Sequence, residues 1–148
     1  MARVEIRFPK NVLFICDSEV RITDLSAAMH LGFDSLVGIV NDASARFFRR
    51  IGLARDSFDG VNTIFADLSV VYRSEAHHGD ILHIEVAAGD LDKKRLDLLF
   101  RVSRRESGRE VALAQIGVLF FDYRRRKVVE IPEAVRRSLA GGNRRSNT

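Results

Sequence analysis

A histidine, a glycine and an aspartate stand within five residues of one another, where together they could act on a carbonyl group. His30, Gly32 and Asp34 lie in the segment HLGFD, at the start of a long stretch with helical spacing. The free N–H groups and the positive dipole end of a helix stabilise an oxyanion, and here they would come from Gly32, Phe33 and Asp34. His30 or Asp34 could activate water at the same place. These residue types at this spacing could therefore support attack of water on a carbonyl.

The same side chains have structural interpretations that the sequence leaves open. Asp34, or its neighbour Ser35, occupies the position expected for an N-cap, whose side-chain oxygen accepts hydrogen bonds from first-turn N–H groups. His30 could simply hydrogen-bond to the backbone of its own loop. Capping and catalysis are both compatible with this segment.

Two further carboxylates are candidates with the same ambiguity. Asp24 follows a strand, so it could be catalytic or could hold the loop as a turn or capping residue. Asp42 lies in the middle of the helix, four residues before Arg46, which is the spacing of a surface ion pair. We expect no metal site, because one cysteine and four scattered histidines are a poor set of zinc ligands.

The element that must position these groups is a long helix, predicted from His30 to Gly52. Its last turns are rich in arginine, and positive charge there interacts favourably with the negative end of the helix dipole. Gly52 follows at a position where glycine commonly ends a helix. Its apolar residues recur at steps of four, three, four and four, the spacing of one helical face: Leu36, Val40, Ala43, Phe47 and Ile51.

Most of the remaining chain alternates between apolar and polar residues, which predicts strands. These strands cover residues 12–22, 63–73, 81–88, 96–102, 110–123 and 128–131, with a turn at Gly89-Asp90 and a short helix after Pro132. The strand over 63–73 is predicted to place on one face Ile64, Ala66, Leu68, Val70 and Tyr72. One long helix and a run of antiparallel strands predict an α+β fold.

Length and composition predict one folded domain. The chain has 148 residues, of which 46% are apolar. We place the domain at residues 1–139 and a disordered basic tail at residues 140–148. No apolar run approaches the roughly 20 residues that span a bilayer, and no signal peptide is apparent, so no membrane association is expected. The lone Cys16 suits a reducing compartment, so a cytoplasmic location is expected.

The formal net charge is +4 and the sequence pI is near 9.7. The excess lies in short basic clusters, which are not interleaved with the aromatic residues that stack on bases. We therefore expect no nucleic-acid partner. A more specific interpretation of the basic charge is that it binds a small ligand that contains a nucleotide.

Four motifs, in order along the chain, carry a resemblance to a known family. They are VRITD at Val20–Asp24, HLGFD before the helix, DASARFF at Asp42–Phe48, and FFDYRRRKVVEIP at Phe120–Pro132. Together they resemble the hotdog-fold acyl-CoA thioesterases, the 4-hydroxybenzoyl-CoA thioesterase-like superfamily. The resemblance implies a hotdog fold, in which a curved antiparallel sheet of five to six strands wraps a long central helix.

The resemblance also implies an activity and a set of roles. The activity is hydrolysis of an acyl-CoA thioester, with coenzyme A as part of the substrate and no other cofactor. Catalysis would fall to His30, Asp34, Asp24 and Asp42, and the carbonyl would be held by Gly32 and Phe33. Strand-end or outer-face arginines would meet the coenzyme A phosphates: Arg73, Arg101, Arg104 and Arg105. The family builds its sites between two protomers, so a homodimer or a dimer of dimers is implied.

The chain departs from the family pattern at three positions. Some branches carry a second acid two residues after the loop aspartate, where this chain has Ser26. Met29 replaces a glycine and Phe33 replaces an asparagine. The missing acid at Ser26 gives an alternative function, a non-catalytic module that binds acyl-CoA or acyl-carrier protein.

Overall fold

The helix and strands were located in a computed structural model, which describes residues 3–53 and 60–140. The order of the elements is β1 (Phe14–Glu19), a 3₁₀ turn (Ile22–Asp24), α1 (Phe33–Arg50), β2 (Val61–Tyr72), β3 (Ile81–Leu91), β4 (Arg95–Arg104), β5 (Glu110–Asp122), β6 (Lys127–Val129) and α2 (Glu133–Ala140). The predicted tail at 140–148 lies outside the described residues, apart from Ala140, which ends α2.

All six strands form one antiparallel sheet in the order β1-β3-β4-β5-β2, with β6 added beside β5. One curved face of this sheet carries α1, so the predicted α+β class is confirmed. The buried apolar face of α1 contains Leu36, Val40, Ala43 and Phe47, as its spacing predicts, while Ile51 is only half-buried. The Phe47 ring also packs against the rings of Phe14 and Phe48, with centroids 6.0 and 5.6 Å away.

The start of α1 differs from the sequence prediction. The helix begins at Phe33 rather than His30, and its N-cap is Gly32 rather than Asp34 or Ser35. The cause is that the preceding residues pair outside the helix, because Leu31 forms a β-bridge with Leu25 and therefore stays extended. Among the described residues, no side chain caps this end by a hydrogen bond.

The alternation of β2 also differs from the prediction, because the strand contains a bulge. The pairing of β2 with β5 shifts between Phe65 and Asp67, so Ala66 is an extra residue. An extra residue exchanges the two faces of the strand. Phe65, rather than Ile64, therefore lies on the helix side together with Leu68, and the single face predicted across this region is wrong.

An ion-pair cluster braces this bulge from the other side of the sheet. Arg95 donates two hydrogen bonds to Asp67, at 2.7 and 2.8 Å, and a third from its Nε to the buried Asp97 at 2.9 Å. The cluster lies over Gly117, where a Cβ would come 2.3 Å from the Arg95 guanidinium. Glycine at this position therefore lets the Arg95 side chain pass over β5 and reach Asp67 on β2.

The turn predicted at Gly89-Asp90 is also wrong, since β3 continues to Leu91 and the chain turns just after it. In the described residues, no helix is long and apolar enough to cross a membrane.

Candidate active site

Two loops meet at the head of α1 and are joined by backbone hydrogen bonds. The loop before α1 donates from the Leu31 N–H to the carbonyl of Ala76, in the loop between β2 and β3, at 2.8 Å. It also folds back on itself, because the Gly32 N–H donates to the carbonyl of Asp24 at 2.9 Å. The helix head therefore starts from a fixed position relative to both loops.

The first turn of α1 leaves N–H groups that have no acceptor within the helix. The first intrahelical hydrogen bond runs from the Leu36 N–H to the Gly32 carbonyl at 3.0 Å. The N–H groups of Phe33, Asp34 and Ser35 precede it, so they remain open to an acceptor from outside. Of the two predicted oxyanion residues, Gly32 uses its N–H within the loop, whereas Phe33 has an open N–H and a 73% exposed side chain.

A side chain at Gly32 would meet the carboxylate of Asp34. A Cβ there would lie 2.7 Å from Asp34 Oδ1 and 3.5 Å from the Asp24 carbonyl oxygen. The glycine thus lets the Asp34 carboxylate fold back over the loop at the head of the helix.

His30 lies beside this head and faces an acid that the sequence did not single out. Its Nδ1 is 3.3 Å from the Leu31 carbonyl, and its Nε2 is 3.7 Å from Oε1 of Glu75. The other oxygen of Glu75 is 3.6 Å from Nε2 of His77. A carboxylate is therefore shared between two imidazoles, one of which belongs to His30 in the loop that leads into α1.

Asp34 is exposed and lies close to Tyr72 at the end of β2. The Tyr72 hydroxyl donates to the Phe33 carbonyl at 3.0 Å. Burial, and after it the negative charge of Asp34, raises the pKa of Tyr72 above its usual value. The phenol therefore stays protonated at neutral pH and keeps donating to the first residue of α1.

Asp24 is buried and its carboxylate is already occupied by Arg21. The Arg21 backbone N–H donates at 2.9 Å, and its guanidinium donates twice at 3.3 Å. Burial by itself would raise the pKa of Asp24, but these hydrogen bonds outweigh burial and leave the pKa below its usual value. The geometry is that of a residue that holds the loop, and Asp24 is not directed at the open N–H groups of α1.

Asp42 lies on an exposed part of α1, and the described residues give it no ion pair with Arg46. Arg46 donates instead to the Asp17 carbonyl at 3.0 Å. A cleft of about 420 Å³ runs between α1 and β2, and the polar helix residue that lines it is the neighbouring Asn41. The other lining residues are mainly apolar: Val37, Gly38, Val40, Phe65, Ala66, Asp67, Leu68 and Ile116.

Each arginine proposed for coenzyme A has an acidic neighbour. Arg101 donates to both oxygens of Glu85, at 2.8 and 3.0 Å, and its guanidinium lies 4.5 Å from the Phe8 ring centre. Arg104 Nε is 3.2 Å from Asp80. Arg105 is 3.1 Å from Asp17, and Arg73 is 3.9 Å from Glu110.

These arginines do not form one group. Arg101 follows the fully buried Phe100 in β4 and lies on the sheet face opposite α1. Arg73 directly follows β2 and is therefore the one nearest in the chain to Tyr72 and Glu75. Arg104 is linked to the helix head indirectly, because its partner Asp80 also accepts the His77 N–H at 2.8 Å.

Sequence reasoning found the part of this site that is contiguous in the chain and missed the part that folding brings to it. The structure places Tyr72, at the end of β2, next to Phe33, and Glu75, in the loop after β2, next to His30. The segment SEAHHGD contained a signal, since one acid and two adjacent histidines stand in the same turn. In the described residues, no group of three or more histidines, cysteines or acids could hold a metal ion.

Comparison with known proteins decides the family. The Thioesterase-like superfamily matches the sequence over residues 20–139, which is most of the chain and includes both loops and α1. This chain belongs to the thioesterase-like superfamily. No protein of curated function matches it.

Several solved structures are similar to this chain. A hypothetical protein from Staphylococcus aureus, solved in complex with CoA, has a TM-score of 0.82 at 19% identity, over 92% of this chain and 87% of that one. A 1,4-dihydroxy-2-naphthoyl-CoA thioesterase from Synechocystis has a TM-score of 0.78 at 18% identity, over 86% and 95%. The gentisyl-coenzyme A thioesterase BH1999 has a TM-score of 0.76 at 16% identity, over 85% and 99%. These likenesses confirm the hotdog fold.

Proposed function

We propose that the protein is an acyl-CoA thioesterase, which hydrolyses a thioester to the free acid and coenzyme A without a metal ion. The observation that carries the proposal is the head of α1, where open N–H groups lie beside His30 and Asp34 in a superfamily of thioesterase-like proteins. Such a helix end binds a developing negative charge without any reorganisation at the moment of reaction.

The proposed reaction uses these groups in two steps. The thioester carbonyl oxygen accepts hydrogen bonds from the N–H groups of Phe33 and Asp34, while His30 or Asp34 takes a proton from water. The water oxygen bonds to the carbonyl carbon and gives a tetrahedral oxyanion. The oxyanion then collapses, the carbon–sulfur bond breaks, and the coenzyme A thiolate leaves and takes up a proton.

The cleft between α1 and β2 suits the acyl group. Its volume is about 420 Å³ and its walls are mostly apolar, including Val37, Phe65 and Leu68. Arg73, just beyond β2, is the best placed of the predicted arginines to meet a phosphate of coenzyme A. The CoA bound to the similar Staphylococcus aureus protein supports a CoA ester as the substrate.

We propose that the working form is a homodimer, or a dimer of dimers, built on β2. Within residues 3–53 and 60–140, this strand ends the sheet and pairs on one side only, with β5. Three large side chains on it are exposed, Phe65 by 44%, Leu68 by 45% and Tyr72 by 50%. An edge strand with apolar side chains is a ready partner for a second copy of the chain. The free, buried Cys16 supports a cytoplasmic location.

The test is release of free thiol from short, long and aromatic acyl-CoAs by purified protein. Release from one class supports the thioesterase and identifies its acyl group. The alternative, a non-catalytic module that binds acyl-CoA or acyl-carrier protein, is favoured by Ser26, whose hydroxyl accepts the Ala28 N–H at 3.3 Å and supplies no acid. Thermal stabilisation by CoA esters, without release of thiol from any, would establish that alternative.

A further inference from the structure

Glu75 is an exposed acid held between two anchored residues. On one side, the Ser74 hydroxyl donates to the Glu110 carbonyl at 2.6 Å. On the other, Ala76 is 1% exposed and its carbonyl accepts the Leu31 N–H. The Glu75 side chain itself is 64% exposed. The backbone therefore fixes where this carboxylate begins, while its oxygens stay accessible to small molecules.

The carboxylate oxygens of Glu75 face two different imidazoles. Oε1 lies 3.7 Å from His30 Nε2, and Oε2 lies 3.6 Å from His77 Nε2. His77 is itself held by its N–H, which donates to Asp80 at 2.8 Å. The tautomer of His30 with a proton on Nδ1 can donate to the Leu31 carbonyl, 3.3 Å away, and its Nε2 lone pair then faces Glu75.

We infer that Glu75 is a catalytic acid–base residue, which acts together with His30 on the attacking water. The inference rests on the proposed thioesterase function and names a residue for that same site. Two acceptors 3.7 Å apart, an imidazole lone pair and a carboxylate oxygen, can each accept one hydrogen from the same water molecule. The oxygen of that water then keeps a lone pair for the carbonyl carbon.

These groups account for every proton that moves in the reaction. As the water oxygen bonds to the thioester carbon, one proton passes to the His30–Glu75 pair and the carbonyl oxygen becomes an oxyanion. When the carbon–sulfur bond breaks, the electron pair leaves with the coenzyme A sulfur, and the proton held by the pair returns to that thiolate. No other reactant is needed.

A purely structural role explains Glu75 less well. An exposed ion pair contributes little to stability, and the fixed point of this loop is the buried Ala76 rather than Glu75. In the loop before α1, Ser26 has only a hydroxyl and Asp24 is occupied by Arg21, so neither competes with Glu75, and Asp34 of the first turn is the alternative acid. Glu75 is thus an accessible carboxylate that contacts His30.

The experiment compares Glu75→Gln and Glu75→Asp with wild type, using the acyl-CoA that wild type hydrolyses fastest. Glu75→Gln keeps the shape and removes the charge, so we expect kcat to fall roughly 10²-fold with KM within about two-fold. Glu75→Asp restores the carboxylate and should recover part of kcat. Glu106→Gln, in the exposed turn between β4 and β5, is the matched control and should behave as wild type.

Each outcome separates this inference from the proposed function. If wild type hydrolyses acyl-CoAs and Glu75→Gln keeps the wild-type kcat, the thioesterase stands and the role of Glu75 is refuted. If both Glu75 variants lose thermal stability and raise KM with kcat unchanged, Glu75 is structural and the inference is overturned. If wild type releases no thiol from any acyl-CoA, the proposed function fails and the inference fails with it.

Discussion

Asp24 and Asp34 both lie close to the head of α1, but their carboxylates have different surroundings. Asp24 is 5% exposed and receives three hydrogen bonds from Arg21, so it has little capacity left for a substrate or a proton. Asp34 is exposed and adjoins the open N–H groups of the first turn. At the residue scale, environment rather than residue type therefore separates a loop anchor from a candidate for catalysis.

Asp24→Asn should lower the free energy of unfolding by roughly 1–3 kcal/mol at pH 7, because hydrogen bonds to a buried charge are weakened. The folded pKa of Asp24 is below its usual value of 3.8, so this stabilisation is present above that pH. It should disappear as the pH falls below 3.8 and through the folded pKa. Urea unfolding at several pH values measures the difference between variant and wild type.

The exposed Asp90→Asn is the control for this comparison and should change the stability little at any pH. A difference between Asp24→Asn and wild type that stays constant down to the acid limit would contradict the assigned role of the carboxylate.

The residues of the candidate site differ in how far the sequence could predict them. His30, Gly32 and Asp34 were found because they are neighbours in the chain and their types suit carbonyl chemistry. Glu75 could not be connected to His30, since their contact depends on the hydrogen bond between Leu31 and Ala76 that joins two loops. Local patterns carry no information about which loops meet.

At the scale of elements, periodicity predicted α1 and the strands well, and it failed where a local backbone feature interrupted it. The apolar face of α1 was predicted because burial against one sheet imposes a helical repeat. The helix start was predicted too early because Leu31 pairs with Leu25 in an extended bridge. The face of β2 was predicted wrongly upstream of Ala66, since a bulge leaves no reliable mark in a run of alternating residues.

Phe47→Ala should lower the free energy of unfolding by about 3–5 kcal/mol, because Phe47 is 1% exposed and packs against two other rings. Phe33→Ala removes the same ring from the same helix, at a position 73% exposed, and should change stability by less than about 0.5 kcal/mol. Urea unfolding of both variants measures the contrast. Equal losses would contradict the assigned inner face of α1.

At the scale of the whole molecule, the chain leaves an apolar edge at β2 and a cleft beside it. Leu68 belongs to both, since it lines the cleft and is 45% exposed on the edge strand. A second copy that extended the sheet at β2 would cover these side chains and stand next to the head of α1. The proposed interface and the candidate site would therefore lie side by side.

Leu68→Lys should convert the proposed homodimer to a monomer, because a charge would be buried at the new interface. Ile22→Lys, at a position 60% exposed in the 3₁₀ turn before α1, is the control and should leave assembly unchanged. Sedimentation equilibrium gives the mass of each form. A monomeric wild type at all concentrations, or a Leu68→Lys variant that stays dimeric, would argue against β2 as the interface.

The central claim is that thioester hydrolysis takes place at the head of α1, and the most direct test is kcat for His30→Ala and Asp34→Ala on the best acyl-CoA substrate. We expect roughly 10²–10⁴-fold lower kcat in His30→Ala, and a clear loss in Asp34→Ala, with circular dichroism like that of wild type. The exposed His78→Ala serves as the control and should keep wild-type kcat. Wild-type rates in both His30→Ala and Asp34→Ala would contradict the claim.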